Sequence, residues 1–105
     1  MVIVETPTFT RLIREVLDEE SYRLLQLELA ADPGKGVLIP RTGGVRKLRW
    51  SASGRGKSGG ARVIYYWAKS REVVLMLAAY AKNDQVNLTP AQSKLLRNLV
   101  EREFG

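Results

Sequence analysis

The segment from Ala61 to Ala68, ARVIYYWA, is apolar on both of its alternating faces. A strand of this kind is typical of the centre of a sheet, because both of its faces need cover from other parts of the chain. Residues 45–51 before it and residues 71–81 after it also predict strands. The links between the three are short or rich in glycine and serine, so the order predicts an antiparallel meander.

The N-terminal third predicts the layer that covers one face of this sheet. Residues 1–5 are short and β-branched, which indicates a first strand. Thr6 and Pro7 are typical of a helix start, and apolar side chains then recur at helical spacing as far as Leu17. Residues 18–32 predict a second helix with acidic residues in its first turn. Its apolar side is formed by Tyr22, Leu24, Leu25, Leu27 and Leu29.

The C-terminal end predicts one more helix, which begins with Thr89 as cap and Pro90 in the first turn. Its apolar stripe consists of Leu95, Leu96, Leu99, Val100 and Phe104. Residues 37–44, VLIPRTGG, predict a loop because they are rich in proline and glycine. The chain therefore predicts a single α+β domain over residues 1–105. Its parts are a small antiparallel sheet, an N-terminal helical hairpin on one face and a C-terminal helix, with the other face left for basic side chains.

Positive charge is concentrated in the middle of the chain. The sequence has 17 basic and 11 acidic residues and a formal net charge of +6. Residues 33–71 hold ten basic residues and no acidic one, whereas residues 1–32 hold seven acidic and three basic residues. A surface that serves only solubility normally mixes both signs. The distribution favours a polyanionic partner, most commonly a nucleic acid.

The composition excludes several kinds of site. The chain has no cysteine and no histidine, which removes disulfides, thiolate metal sites and the usual general base. Asp84 alone makes a poor Mg²⁺ site, so we expect no metal and no cofactor. The loop GRGKSGG lacks the first glycine and the following helix of a phosphate-binding P-loop. We find no signal peptide and no apolar run of about 18 residues, so we expect a cytoplasmic protein without a membrane segment.

Three basic residues stand out as candidates for chemistry. Alternation along residues 45–51 puts Lys47 and Arg49 on one face of their strand. The hairpin brings Arg62 of the next strand beside them. Arginine offers a planar fork of donors and lysine a point charge, so the three can neutralise the charge that develops on a phosphate in its transition state.

The end of the last predicted strand adds further polar groups near these three cations. Lys82 follows that strand and is placed to reach the three cations. Tyr66 and Tyr80 either offer hydroxyl groups there or fill the core.

The segment IPRTGGVRKLRWSASGRGKSGGARVIYYW, followed by YAKNDQVNLTPAQ, resembles the RelE/HigB-type toxins of bacterial toxin–antitoxin pairs. The resemblance covers roughly residues 36–92, with compatible helices on both sides. It implies a toxin that enters the ribosomal decoding site and cleaves mRNA there as a metal-independent endoribonuclease. It also implies a cognate antitoxin, the ribosome and mRNA as partners, with no cofactor and no small-molecule substrate.

The resemblance carries over to individual positions. Lys47 and Arg49 match basic residues on the strand before the loop, Arg62 matches an arginine that begins the central strand, and Lys82 matches a basic residue after the last strand. These four are the candidate catalytic residues. The candidate contacts to RNA and the ribosome are Arg41, Arg46, Arg55 and Lys57.

The sequence offers two lysines as the residue that transfers the proton during cleavage. Some members of the family use a tyrosine or histidine near the final loop, where this sequence has Leu88 and Thr89. RNA carries its own nucleophile, the 2′-hydroxyl beside the scissile phosphate. Lys47 or Lys82 is the candidate for proton transfer, while Arg49 and Arg62 would hold the phosphate.

Two other functions compete with mRNA cleavage. The related ParE-type toxins share the fold and poison DNA gyrase, but such a toxin has no need to place cations around a scissile phosphate. A passive basic RNA-binding protein would stack bases on exposed aromatic residues. Here Trp50, Tyr65 and Trp67 fall on the face that we assign to the core.

Overall fold

The computed structural model describes residues 1–51, 60–82 and 89–104 of the chain. The fold is α+β, and its elements follow the predicted order with one short strand added. The strands are β1 (Val2–Glu5), β2 (Val37–Leu38), β3 (Val45–Trp50), β4 (Ala61–Ala68) and β5 (Val73–Ala81), and the helices are α1 (Pro7–Val16), α2 (Glu19–Ala31) and α3 (Pro90–Phe104). A short 3-10 turn, Lys69–Arg71, links β4 to β5.

The three helices begin where the sequence predicts, because each start has a side-chain cap. The Thr6 hydroxyl accepts the backbone N–H three residues on at 3.1 Å, and the Asp18 carboxylate does the same at 2.7 Å. Thr89 and Gln92 form a reciprocal capping box. The Thr89 hydroxyl accepts the Gln92 backbone N–H at 3.1 Å, and the Gln92 side-chain oxygen accepts that of Thr89 at 2.9 Å.

The sheet has the strand order β1-β5-β4-β3-β2. The predicted antiparallel meander of β3, β4 and β5 is confirmed. The whole sheet is mixed rather than antiparallel, because β1 pairs with β5 in parallel. The chain leaves β1 through α1 and α2 and re-enters the sheet at the opposite edge as β2, and the antiparallel run from β2 to β5 then brings β5 beside β1 in the same direction.

The segment 37–44 differs from its prediction as a loop. Val37 and Leu38 form the edge strand β2, antiparallel to β3, with Val37 opposite Lys47 and Leu38 opposite Arg46. A strand of two residues between Gly36 and Pro40 is too short to leave an alternating pattern in the sequence. The rest of the segment is irregular, as predicted.

The helical hairpin covers one face of the sheet, here called the first face. The predicted apolar side of α2 is partly wrong, since Leu25 and Leu29 are buried but Leu24 and Leu27 are exposed. The aromatic side chains of β3 and β4 on this face belong to the core, as predicted. The buried cluster consists of Phe9, Ile13, Leu17, Leu25, Leu29, Leu48, Ala61, Val63, Tyr65, Val74, Met76 and Ala79.

The opposite face of the sheet, here called the second face, carries α3. The sequence left this face for basic side chains, but α3 covers part of it. From the predicted stripe only Val100 is buried, Leu96, Leu99 and Phe104 are half-buried, and Leu95 is exposed. The buried cluster there is smaller and consists of Val45, Ile64, Leu75, Leu77 and Val100.

A β-bulge in β5 changes which side chains reach the second face. Ile64 pairs with Ala78 but the next residue of β4, Tyr65, pairs with Met76, so Leu77 has no partner of its own. Leu77 and Ala78 therefore both pack in the second-face cluster. Alternation resumes after them and puts Tyr80 on the second face as well.

None of the helices within the described ranges has both the length and the apolar character that a membrane crossing requires.

Replacing Phe9 with alanine tests the first-face core. Phe9 is 0% exposed, and its ring centroid lies 5.8 Å from that of Tyr22. Phe9→Ala should lower the free energy of unfolding by about 3–5 kcal/mol, measured by chemical denaturation. Leu27→Ala is the control, because Leu27 is 56% exposed on α2 and its loss should change stability by no more than about 0.5 kcal/mol. Equal losses in the two variants would contradict this core.

Candidate nucleic-acid interface

A row of polar side chains crosses three strands on the second face. Arg49 of β3 lies directly opposite Arg62 of β4, and Arg62 lies directly opposite Tyr80 of β5. Side chains of directly opposed residues have Cβ atoms about 4.5–5.5 Å apart. Lys47 occupies the neighbouring row on the same face, where it is opposite Ile64. The sheet thus brings Lys47, Arg49 and Arg62 together.

These cations have no acidic partner in the part of the chain that the structure describes. The ion pairs found there, with N···O distances within 4.0 Å, belong to Arg23, Lys35 and Arg97. The Arg62 guanidinium makes one long bond, 3.4 Å, to the adjacent Ala61 carbonyl. Like charges on directly opposed residues destabilise a sheet, and a bound anion would relieve that repulsion.

A cleft of about 400 Å³ opens beside this row. Lys47 and Tyr80 form its floor on the sheet, and the start of α3 forms one wall with Pro90 and Ser93. The opposite wall consists of β2 and the loop that follows it, including Arg41. The cleft therefore combines an apolar lining with cations from two elements, a composition that suits a nucleotide with its phosphate.

The loop that carries Arg41 has a defined shape. The buried Thr42 hydroxyl donates to the Ile39 carbonyl at 2.7 Å and accepts the Val45 backbone N–H at 3.0 Å. Gly44 has φ +114, and a Cβ atom there would lie 3.1 Å from the Tyr66 ring. The Thr-Gly-Gly sequence is thus explained by the turn that brings Arg41 to the cleft.

Tyr80 is the one phenol of the cross-strand row. Burial raises the pKa of the Tyr80 hydroxyl above its usual value, while the nearby Arg62 cation acts in the opposite direction. The group therefore keeps its proton at neutral pH and can act as a hydrogen-bond donor.

A family model described as "RelE toxin of RelE / RelB toxin-antitoxin system" matches residues 1–104, nearly the whole chain. The chain belongs to the RelE toxin family. The resemblance found in the sequence is thereby confirmed, and so is the RelE-like fold class. Toxins of this family are the toxic members of toxin–antitoxin pairs, so an antitoxin is the partner that the family provides.

The fourth candidate catalytic residue of this RelE-family chain, Lys82, lies at the end of β5. Its backbone N–H donates to the Gly60 carbonyl at 3.3 Å, which extends the pairing of β5 with the β4 side by one residue. Alternation from Tyr80 puts Lys82 on the second face, where its side chain is half-buried. It thus flanks the row at its Tyr80 end, on the side away from Lys47.

Two of the candidate RNA contacts, Arg41 and Arg46, lie on opposite faces of the sheet. Arg41 is exposed at the cleft, on the same side as Lys47. Arg46 lies on the first face, where one guanidinium nitrogen, Nη1, donates to the carbonyls of Gly34 and Gly36. The other two candidates, Arg55 and Lys57, lie outside the described residues, as do Asp84 and Leu88.

Sequence reasoning did not single out the cations of α3. Lys94 and Arg97 line a second cleft of about 400 Å³, and Arg41 stands between it and the first cleft. Arg97 also pairs with Glu101 at 3.4 Å. The available signal was the spacing of three residues, which puts both cations on one side of a helix.

The electrostatic link between Arg62 and Tyr80 gives a prediction. Arg62→Ala removes a cation that favours the phenolate, so the pKa of Tyr80 should rise further, as measured by NMR titration of the tyrosine ring carbons. Arg71→Ala should leave this pKa unchanged. Arg71 lies at the opposite end of the β4–β5 hairpin, where its guanidinium stacks 5.5 Å from the Phe104 centroid. An unchanged or lower Tyr80 pKa in Arg62→Ala would contradict the proximity of the two side chains.

Proposed function

We propose that this RelE-family toxin is a ribosome-dependent endoribonuclease that cleaves translated mRNA and arrests growth. The observation that carries the proposal is the second-face row. Arg49 and Arg62 lie directly opposite each other, with Lys47 in the next row, and none of the three pairs with a carboxylate in the described ranges. Such a concentration of unpaired cations suits an RNA phosphate that gains charge during cleavage.

The chemistry uses the nucleophile that RNA itself supplies. The 2′-oxygen attacks the adjacent phosphorus atom, its proton leaves to a base, and the bond from phosphorus to the 5′-oxygen breaks as that oxygen gains a proton. The products are a 2′,3′-cyclic phosphate and a 5′-hydroxyl, so no water or cofactor is consumed. Holding the 2′-oxygen in line can contribute roughly 7–11 kcal/mol in the best intramolecular cases.

The side chains of the row divide this work. Arg49 and Arg62 bind the non-bridging oxygens and stabilise the phosphorane, for which the arginine fork is suited. Lys47 or Lys82 is the candidate for proton transfer, since the two flank the row at different positions. Tyr80 lies opposite Arg62 and keeps its proton at neutral pH, so its hydroxyl can donate to a phosphate oxygen.

The ribosome and the antitoxin are proposed as partners, the first from the positive charge of the toxin and the second from its family. Arg41 at the cleft, and Arg55 and Lys57 by their place in the sequence, are proposed to contact RNA phosphates in the ribosome. The cognate antitoxin would silence the toxin in the cytoplasm. A gyrase poison on the same fold, or a passive RNA-binding protein, would not require cations opposed on two strands.

Replacing Arg62 tests the catalytic row. Arg62→Ala should keep the fold, because the side chain is half-buried at the sheet margin and forms no part of either buried cluster. Cleavage of translated mRNA should fall by roughly a hundredfold or more, the usual effect of removing one group that stabilises transition-state charge. Arg23→Ala is the control, since Arg23 pairs with Glu20 on the exposed side of α2. A variant that cuts at the wild-type rate would remove Arg62 from the site.

Dependence on translation is tested with one mRNA in two states. Purified toxin should cut the mRNA at codon-phased positions when ribosomes translate it, and should leave the naked mRNA nearly intact. The chain lacks histidine, the usual general base, so it relies more on the in-line substrate geometry that the ribosome would supply. Equal rates on naked and translated mRNA would refute ribosome dependence. DNA damage without mRNA cleavage after induced expression would favour gyrase poisoning.

A further inference from the structure

The segment between α2 and β2 is held by a tyrosine on the first face of the sheet. Tyr65 is 0% exposed, and its hydroxyl donates to the Pro33 carbonyl at 2.8 Å while accepting the Gly36 backbone N–H at 2.9 Å. A Cβ atom at Gly36 would lie 2.8 Å from the Tyr65 oxygen and 3.1 Å from the Lys47 carbonyl. The segment therefore lies against the sheet with no room for a side chain at this position.

Arg46 completes this arrangement from the neighbouring strand. It lies directly opposite Tyr65, and its Nη1 atom donates to the carbonyls of Gly34 at 3.1 Å and Gly36 at 2.8 Å. Four hydrogen bonds from one cross-strand pair thus hold Pro33, Gly34 and Gly36. We call this pair and its four bonds the Tyr65–Arg46 clamp.

The clamp lies one residue before β2, and β2 cannot fix its own register. It has two residues, and their side chains are 73% and 55% exposed. Register in a sheet is specified where one face is buried, and a slip of one residue turns every side chain to the opposite face. Fixed points outside β2 are therefore needed. The clamp holds the residue before β2, and the Ile39 backbone N–H, which donates to the Val45 carbonyl at 2.8 Å, holds the residue after it.

Beyond β2 the chain passes to the second face and its cleft. Arg41 reaches the cleft three residues after Leu38, and Lys47 in that cleft is the register partner of Val37. The clamp on one face and the Thr42 turn on the other therefore together set the position of Arg41 relative to Lys47.

We propose that Tyr65 and Arg46 are positioning residues that hold the segment from Pro33 to Arg41 so that Arg41 and Lys47 line one cleft. Arg46 on this basis acts through the backbone carbonyls rather than on an RNA phosphate. The kinetic consequence rests on the proposed ribonuclease function, whereas the structural consequence does not.

A double-mutant cycle measures the kinetic consequence. Tyr65→Phe keeps the ring and removes the hydroxyl, and it should lower kcat/KM for translated mRNA by roughly tenfold to a hundredfold, the order expected for misplaced groups. Because Tyr65 acts through Arg41, adding Tyr65→Phe to Arg41→Ala should cause little further loss. The control is Tyr22→Phe, which removes the hydroxyl that donates to Glu5 on the hairpin side of the molecule. The effect of Tyr22→Phe should be small in both backgrounds. Additive losses for Tyr65→Phe and Arg41→Ala would overturn the proposal.

Hydrogen exchange tests the clamp without reference to cleavage. Tyr65→Phe should speed amide exchange in the peptide that covers residues 36–41, and Tyr22→Phe should not. Unchanged exchange in Tyr65→Phe would overturn the proposal. If the wild-type protein does not cleave mRNA, the proposed function fails while this measurement still decides the clamp.

Arg46→Met gives a second variant in case Tyr65→Phe does not fold. It keeps the side-chain stem and removes the donors, so exchange in residues 36–41 should again rise. In the Arg41→Ala background, where the Arg41 contact is already lost, Arg46→Met should leave the slope of log affinity for ribosomes against log salt unchanged. A phosphate contact by Arg46 would instead flatten the slope by roughly 0.7–0.9, and that result would overturn the positioning role of Arg46.

Discussion

The central strand β4 is buried on both faces, and the other elements are arranged to meet that requirement. Val63 and Tyr65 point into the core beneath the helical hairpin, while Ile64 points toward α3. Helices must therefore lie on both sides of a five-stranded sheet in a chain of 105 residues. Arg62 at the start of β4 and Arg49 opposite it belong to neither buried cluster, so the candidate site lies at the margin of the sheet rather than in the core.

Features that depend on local chemistry could be predicted from the sequence. A cap is formed by residues within one helical turn, which is why the caps predicted at Thr6 and Thr89 are confirmed, whereas Asp18, predicted in the first turn of α2, is its cap. Alternation along a strand is equally local, and it correctly put Lys47 and Arg49 on the face of Arg62. The antiparallel meander followed from three clear strands whose links are short or rich in glycine and serine.

Features that depend on distant partners could not be predicted in this way. The bulge at Leu77 inserts a residue into β5 and reverses the alternation after it, so the sequence pattern alone does not say that Tyr80 faces Arg62. The strand β2 depends on a clamp built by Tyr65 and Arg46, which lie on other strands. Arg46 was predicted to contact RNA because it is one cation of a basic run. The sequence does not show that its guanidinium donates to two backbone carbonyls instead.

Three carboxylates of the N-terminal third lie across the sheet from the cations of the second-face row. On the hairpin side, Glu5 of β1 accepts bonds from Thr10 and Tyr22, and Glu20 and Glu28 of α2 pair with Arg23 and Lys35. The sheet lies between these carboxylates and the row of Arg49 and Arg62. A carboxylate within reach would stabilise the row but would also occupy the place of a phosphate. Arg49 and Arg62 therefore repel each other on the second face, and a bound anion would relieve that repulsion.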